Sequence, residues 1–170
     1  MAGMSRISRV LIAAVCSTAF LLAAGAPLAA ESMDWVQDAI EHATRDPGQL
    51  YYFHETHSEC PIGDAHAAGI IDAVLASRNI GPRQLSTSRA LSDQLYLDLS
   101  VSCLDREDGS FVYAVEAYFA LHSPLGGQRL LIARRFGRLG LGDRTSILQA
   151  IQESVEDATD AFLTANDRAP

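Results

Sequence analysis

Apolar and polar residues alternate without a break over residues 94–104. Successive side chains of a strand point to opposite faces, so this stretch predicts a strand with one buried and one solvated side. Residues 111–122 predict a second strand, with Phe111, Tyr113, Val115, Ala117, Phe119 and Leu121 on one face, and residues 129–136 predict a third that alternates less cleanly. Short polar connections separate the three stretches, and such connections join only antiparallel neighbours. The pattern therefore predicts a three-stranded antiparallel meander.

Three stretches with helical spacing of their apolar residues flank the predicted strands, at residues 32–45, 64–78 and 143–166. The last is the strongest, and its buried stripe would consist of Ile147, Ile151, Val155, Ala158 and Phe162. We expect an α+β fold in which the helices pack mainly on one face of the sheet. The aromatic run at residues 50–53 is either a brief strand or an anchor over the sheet edge.

The first thirty residues resemble a secretory signal peptide. Arg6 and Arg9 precede an apolar run at residues 10–22, and small residues follow up to Ala30, where we expect cleavage. Residues 31–170 would then form a single globular domain, and no later stretch is long enough to span a bilayer. Every basic residue is arginine, which is typical of a GC-rich bacterial genome. We therefore expect a periplasmic or secreted protein.

The charge balance is acidic. The chain has 13 basic and 21 acidic residues, and removing Arg6 and Arg9 leaves 11 against 21, a net charge of -10. Contacts to phosphates require clustered positive charge, so general nucleic-acid binding is excluded. The charge does not identify the partner.

Cys60 and Cys103 remain after the predicted cleavage. An even number of cysteines in an oxidising compartment indicates a disulfide. Cys103 lies on the apolar side of the first predicted strand, and Cys60 precedes the helix expected to cover that side. Closing this loop would stabilise the fold by roughly 3–4 kcal/mol.

Three histidines, His54, His57 and His66, lie close together in sequence around Cys60. Histidine, cysteine and carboxylates bind zinc or copper, and a polar loop could bring several of them around one ion. Their spacing is not that of a recognised site, and an oxidised Cys60 could not serve as a thiolate ligand. We expect a polar loop without a cofactor, and the alternative is a zinc or copper site at His54, His57 and His66.

No pattern typical of catalysis is present in the sequence. The chain lacks a Gly-x-Ser-x-Gly elbow, and paired cysteines supply no thiolate nucleophile. The glycine-rich residues 137–142 lack the Lys-Ser/Thr ending of a phosphate-binding loop, so we interpret them as a flexible link between strand and helix. We predict no catalytic or cofactor-binding residue, and an unrecognised hydrolase is the third alternative.

The solvated sides of the predicted strands carry amphipathic rings at Tyr96, Tyr118 and His122. Amphipathic rings on an uncovered sheet are suited to binding a partner or to forming a homodimer, unless the first helix or residues 50–53 cover them.

The arginines concentrated at residues 129–144, among them Arg134 and Arg138, form the only basic cluster. They either pair with the acidic last helix or dock an acidic protein, an anionic lipid or a polysaccharide. The leading hypothesis is an exported, non-catalytic accessory protein that binds an envelope protein through its open sheet face.

Overall fold

The computed structural model describes residues 37–86, 94–122 and 129–167, and it describes the side chains of these segments except those of residues 122 and 129–135. The predicted signal peptide lies outside these residues, as does the start of the first predicted helix. The described elements are, in chain order, α1 (37–43), β1 (Gln49–Thr56), α2 (Asp64–Ser77), β2 (Gly81–Gln84), β3 (Tyr96–Asp105), β4 (Phe111–His122), β5 (Arg129–Gly142) and α3 (Arg144–Ala165).

The strands form one mixed five-stranded sheet in the order β2-β1-β3-β4-β5. The antiparallel pairs β3/β4 and β4/β5 are the predicted meander, and the α+β class is confirmed. Outside the meander, β1 lies parallel to both β2 and β3. The crossover through α2 connects β1 to β2, as parallel neighbours require.

The sheet contains two strands beyond the predicted three, β1 and β2. Residues 50–53 do belong to a strand, but it continues through His54 to Thr56, which we predicted to be loop. Alternation is weak there because both sides of the strand are apolar or aromatic. Leu50 and Tyr52 lie on one side, and Tyr51 and Phe53 lie on the other. The short β2 contains Gly81 and Pro82 and shows no alternation, and an edge strand tolerates such residues because one of its sides has no partner strand.

The interpretation of residues 137–142 as a flexible link is also wrong, since β5 continues to Gly142 and pairs with β4 throughout. A Cβ atom at Gly140 would overlap the ring of Tyr113, which lies over this position from β4. The register between the two strands shifts between Tyr118 and Phe119, which pair with Arg135 and Ile132. This irregularity accounts for the poor alternation of residues 129–136.

The core lies between the sheet and the helices α2 and α3. It contains the predicted inward residues of β3 and the predicted stripe of α3, for example Leu97, Leu99 and Ile151. Phe119 of β4 packs between Phe136 and Phe162, with ring centroids 6.2 Å apart in both pairs. Asp143 caps α3 as expected, because its side chain accepts a hydrogen bond from the Ser146 backbone N–H. In the described part of the chain, no helix is long and apolar enough to cross a membrane.

The disulfide between Cys60 and Cys103 is present, with the two Cα atoms 5.0 Å apart. It fixes the connection between β1 and α2 to the central strand β3. The backbone N–H of His57 also donates to the Val101 carbonyl at 2.9 Å. The predicted pairing of the cysteines is therefore confirmed.

Candidate functional site

The sheet face opposite the helices, here called the outer face, has two different halves. At one end, Tyr96 and Ala120 are fully buried together with Leu85, and Tyr51, Phe53 and Tyr118 pack around them. Asp98, the next outward residue of β3 after Tyr96, is buried as well. The other half is exposed.

Four large aliphatic side chains occupy the exposed half, and we call them the leucine patch. Their exposed fractions are 62% for Leu104, 38% for Val112, 81% for Leu139 and 57% for Leu141. Val112 pairs with Leu104 on one side and with Leu141 on the other, so the three lie side by side across β3, β4 and β5. Leu139 is two residues from Leu141 and therefore on the same face. Contiguous exposed apolar surface of this kind marks interaction sites in soluble proteins.

The patch lies at the edge of the sheet because β5 is the last strand. On the helix side of this edge, a cleft of about 260 Å³ separates β5 from α3. Its lining is partly apolar and partly polar and consists of Tyr113, Arg138, Leu139, Leu141, Ser146, Gln149, Ala150 and Glu153. The inward positions of β5 beyond Arg138 are glycines, Gly140 and Gly142, so no side chain of the strand fills the space toward α3.

Arg138 forms ion pairs that connect β5 to α3. Its Nε donates to Glu153 Oε2 at 3.2 Å, and its Nη2 donates to Asp157 Oδ2 at 2.6 Å. The hydrogen bonds to Asp157 and Glu153 raise the pKa of Arg138. Hydrogen bonds from Gln149 and then from Arg138 lower the pKa of Glu153. The charge of Arg138 is therefore satisfied within the molecule, which is the first of the two roles expected for the arginine cluster.

Two of the other predicted partner residues, Tyr96 and Tyr118, lie in one cluster on the outer face. Tyr96 is fully buried, whereas Tyr118 is half-buried on the same face. The side chains of His122 and Arg134 lie outside the described part of the structure. A partner surface made of Tyr96, Tyr118, His122, Arg134 and Arg138 remains a prediction, although Tyr96 offers no exposed surface to a partner.

The three histidines of the alternative metal site occupy different elements. His54 lies in β1 with its ring centroid 6.2 Å from that of Tyr52, and His57 is exposed just after the strand. His66 lies in the first turn of α2, where its Nε2 is 2.8 Å from Nη2 of Arg144. Among the residues that the structure describes, no group of three or more metal-binding side chains comes together.

A second groove, of about 510 Å³, runs between α2 and α3. Small residues of α2, Ala65, Gly69 and Ala73, form much of its wall, and Gln152 and Glu156 of α3 lie opposite. The side-chain amide of Gln152 donates to Glu156 at 2.8 Å, so these two polar groups already satisfy each other.

The leucine patch is a feature that sequence patterns do not predict. Leu104 and Val112 fall on the side predicted to be solvated, where single apolar residues are common and carry no signal. Leu139 and Leu141 were assigned to a flexible link. The missing signal was the alternation over residues 138–142, which becomes visible once Gly140 and Gly142 are recognised as inward positions of a strand.

Comparison with known proteins gives no family for this chain. No family model and no curated protein matches it. Among solved structures, the PelC dodecamer from Paraburkholderia phytofirmans is similar at 16% identity, covering 66% of this chain and 90% of that chain, with a TM-score of 0.42. A minor lipoprotein from Acinetobacter baumannii is similar at 10% identity, covering 71% and 95%, with a TM-score of 0.33. Similarity at this level does not indicate a function for this chain.

Proposed function

We propose that this chain is an exported, non-catalytic accessory domain of the cell envelope that binds a protein partner through the leucine patch. The observation that carries the proposal is the exposure of Leu104, Val112, Leu139 and Leu141 as one contiguous surface. Burying a leucine or valine side chain against a partner is worth about 1.5–3 kcal/mol. Aliphatic side chains offer no group for proton transfer or nucleophilic attack, so this surface is suited to binding.

Export is supported by the N-terminal pattern of residues 1–30 and by the disulfide, which is typical of proteins in an oxidising compartment. The test is to express the full chain in a bacterium, fractionate the cells and determine the N-terminus of the mature protein. We expect periplasmic protein that begins at Glu31. Full-length protein retained in the cytoplasm would contradict export.

The binding surface is tested by photo-crosslinking in intact cells. A photoreactive residue is placed at Leu139 and, as a control, at Ala76, which is exposed on α2 away from the sheet. We expect a discrete crosslinked protein from position 139 and none from position 76. Equal crosslinking from both positions, or none from position 139, would argue against a partner at the patch.

Affinity for the partner identified in this way is then measured with Leu139→Ser and Leu141→Ser combined. Loss of two buried leucines should weaken binding by about tenfold or more. The matched control is Ala73→Ser with Ala76→Ser on the exposed side of α2, which should bind as the unmodified chain does.

A further inference from the structure

The free side of β5 is the basis of a more specific inference about the partner. In the described part of the chain, β4 is the only strand that pairs with β5, so the other side of β5 presents backbone N–H and C=O groups to an additional strand. Residues 136–142 contain no proline, and the register shift of β5 lies before them. The opposite edge, β2, has only four residues and contains Pro82, so it offers a much poorer template.

Residues 136–142 carry no unpaired charge. The only charged residue of this stretch is Arg138, and two carboxylates of α3 bind it. Glu116 of β4, which lies beside the stretch, also interacts within the molecule, and Asp143, which follows it, caps α3. A charged segment placed along residues 136–142 would lose its water without gaining a free opposite charge, which costs free energy. An uncharged segment avoids this cost.

The hydroxyl group of Tyr113 lies on the cleft side of the same edge. Tyr113 is half-buried, and its ring extends from β4 over Gly140, so the hydroxyl reaches the cleft of about 260 Å³ between β5 and α3. Among the residues that the structure describes, this hydroxyl has no hydrogen-bond partner. It can therefore donate a hydrogen bond to a polar side chain that enters the cleft.

The side chains of an added strand would alternate between the two surfaces that border β5. One set would lie on the outer face beside Leu139 and Leu141, and the other set would point toward the cleft and Tyr113. Capture of an extended peptide at a sheet edge gains affinity from backbone pairing and specificity from the surroundings of alternate side chains. The first set should therefore be aliphatic, and the second set should be polar and uncharged.

From this arrangement we infer that the partner contributes an extended, uncharged segment that pairs with residues 136–142 as a sixth strand. Its aliphatic side chains join the leucine patch, and a polar side chain accepts a hydrogen bond from the Tyr113 hydroxyl. The inference rests on the proposed function, because this segment covers Leu139 and Leu141. A second copy of β5 fits less well, because its inward residues after Arg138 are glycines and bring no side chain into the cleft.

The test uses the full mature chain and synthetic peptides as probes. The first peptide alternates valine with glutamine, and the second and third replace every glutamine with glutamate or with lysine. A fourth repeats the first with N-methylated backbone amides, which cannot pair as a strand. Hydrogen exchange is followed at the backbone amides of residues 136–142, with those of β2 as the internal control. Affinity is measured by calorimetry.

We expect the valine–glutamine peptide, at about ten times its Kd, to slow exchange in residues 136–142 by about tenfold, because binding stabilises the closed state of these amides. The N-methylated peptide should leave exchange unchanged. The two charged peptides should bind several-fold more weakly than the uncharged one, since their charges lose water without a free counter-charge. Exchange in β2 should respond to none of the four.

Two protein variants test the two sides of the added strand. Tyr113→Phe should weaken binding of the valine–glutamine peptide by about three- to tenfold, since one hydrogen bond is lost. The matched control is Tyr51→Phe, a half-buried tyrosine at the other end of the outer face, which should bind as the unmodified chain does. Leu139→Ser combined with Leu141→Ser should weaken binding by about tenfold or more.

Other results would overturn the inference. Equal or tighter binding of a charged peptide would reject an uncharged segment, and unchanged affinity of Tyr113→Phe would reject its polar side. No slowing by any peptide would reject strand addition. Protection of residues 136–142 that grows with protein concentration in the absence of peptide would make a second copy the occupant. Crosslinking at Leu139 without protection of residues 136–142 would leave the proposed function standing and reject the sixth strand.

Discussion

Tyr52 shows how a single buried polar group connects the sheet to a helix. Its side chain is 1% exposed, and its hydroxyl donates to Oδ1 of Asp72 on α2 at 2.8 Å. Burial and then the interaction with Asp72 raise the pKa of Tyr52 above its usual value. The folded state therefore favours the protonated phenol more strongly than the unfolded state does.

Replacing Tyr52 with phenylalanine tests this role. Tyr52→Phe should lower the free energy of unfolding by about 1 kcal/mol at neutral pH, since the Asp72 hydrogen bond is lost. The control is Tyr51→Phe, a half-buried tyrosine on the outer face, which should change stability less. The measurement is urea unfolding followed by fluorescence. Equal effects of the two variants would contradict a specific role of the Tyr52 hydroxyl.

The same variant has a signature at alkaline pH. A raised pKa in the folded state means that the contribution of Tyr52 is fully present below the unfolded pKa of about 10 and is lost as pH rises from there toward the folded value. Stability of the unmodified chain should therefore fall more steeply above pH 10 than that of Tyr52→Phe. Parallel pH profiles would show that Tyr52 titrates alike in the folded and unfolded states.

At the scale of elements, the packing of β5 against β4 requires a glycine at position 140. A Cβ at Gly140 would overlap the Tyr113 ring, whereas a Cβ at Gly69 in α2 has nothing within 4 Å. The two glycines therefore respond differently to the same substitution. One makes room for an aromatic ring, and the other only weakens a helix.

Gly140→Ala should destabilise the fold by about 1 kcal/mol, because the Tyr113 ring must move. Gly69→Ala should stabilise it by about 0.5–1 kcal/mol, because alanine favours the helix. Thermal unfolding of both variants gives the comparison. In a Tyr113→Ala background, Gly140→Ala should no longer lower the stability. A loss of stability that persists there would have its cause in the backbone of β5.

The elements that the sequence predicted well are those in which one face is apolar and the other polar. β3 and α3 satisfy this condition, so their existence and buried sides follow from periodicity alone. β1 and β2 do not. Tyr51 and Phe53 pack on the outer face while Leu50 and Tyr52 pack in the main core, so both sides of β1 are apolar and the period disappears.

The candidate site was harder to predict from the sequence, for a related reason. An exposed leucine has no recognisable pattern until the neighbouring strands are aligned, and the patch arises only from the register of β3, β4 and β5. The predicted partner residues Tyr96 and Tyr118 lie on the same outer face as the leucine patch but at its buried end, because the prediction followed aromatic residues rather than scattered leucines.

For the molecule as a whole, the disulfide adds a covalent link between the segment after β1 and the central strand β3. Cys60 lies in the connection that follows β1, and Cys103 lies near the end of the central strand β3, 43 residues away in sequence. A covalent link across a loop of this length restricts the unfolded chain strongly. Ile62 and Val101, each two residues from a bridged cysteine, are buried in the core, so we expect loss of the bridge to appear mainly as reduced global stability.

Replacing both cysteines with serine should lower the free energy of unfolding by roughly 3–4 kcal/mol. Urea unfolding of the double variant is compared with that of the unmodified chain in the presence and absence of a reductant. The reductant should shift the unfolding curve of the unmodified chain toward that of the variant and leave the curve of the variant unchanged. This comparison separates loss of the bridge from the effect of serine. Two reactive thiols in folded, exported protein would show that the bridge does not form. That result would also weaken the argument for export, because the disulfide is the structural feature that indicates an oxidising compartment.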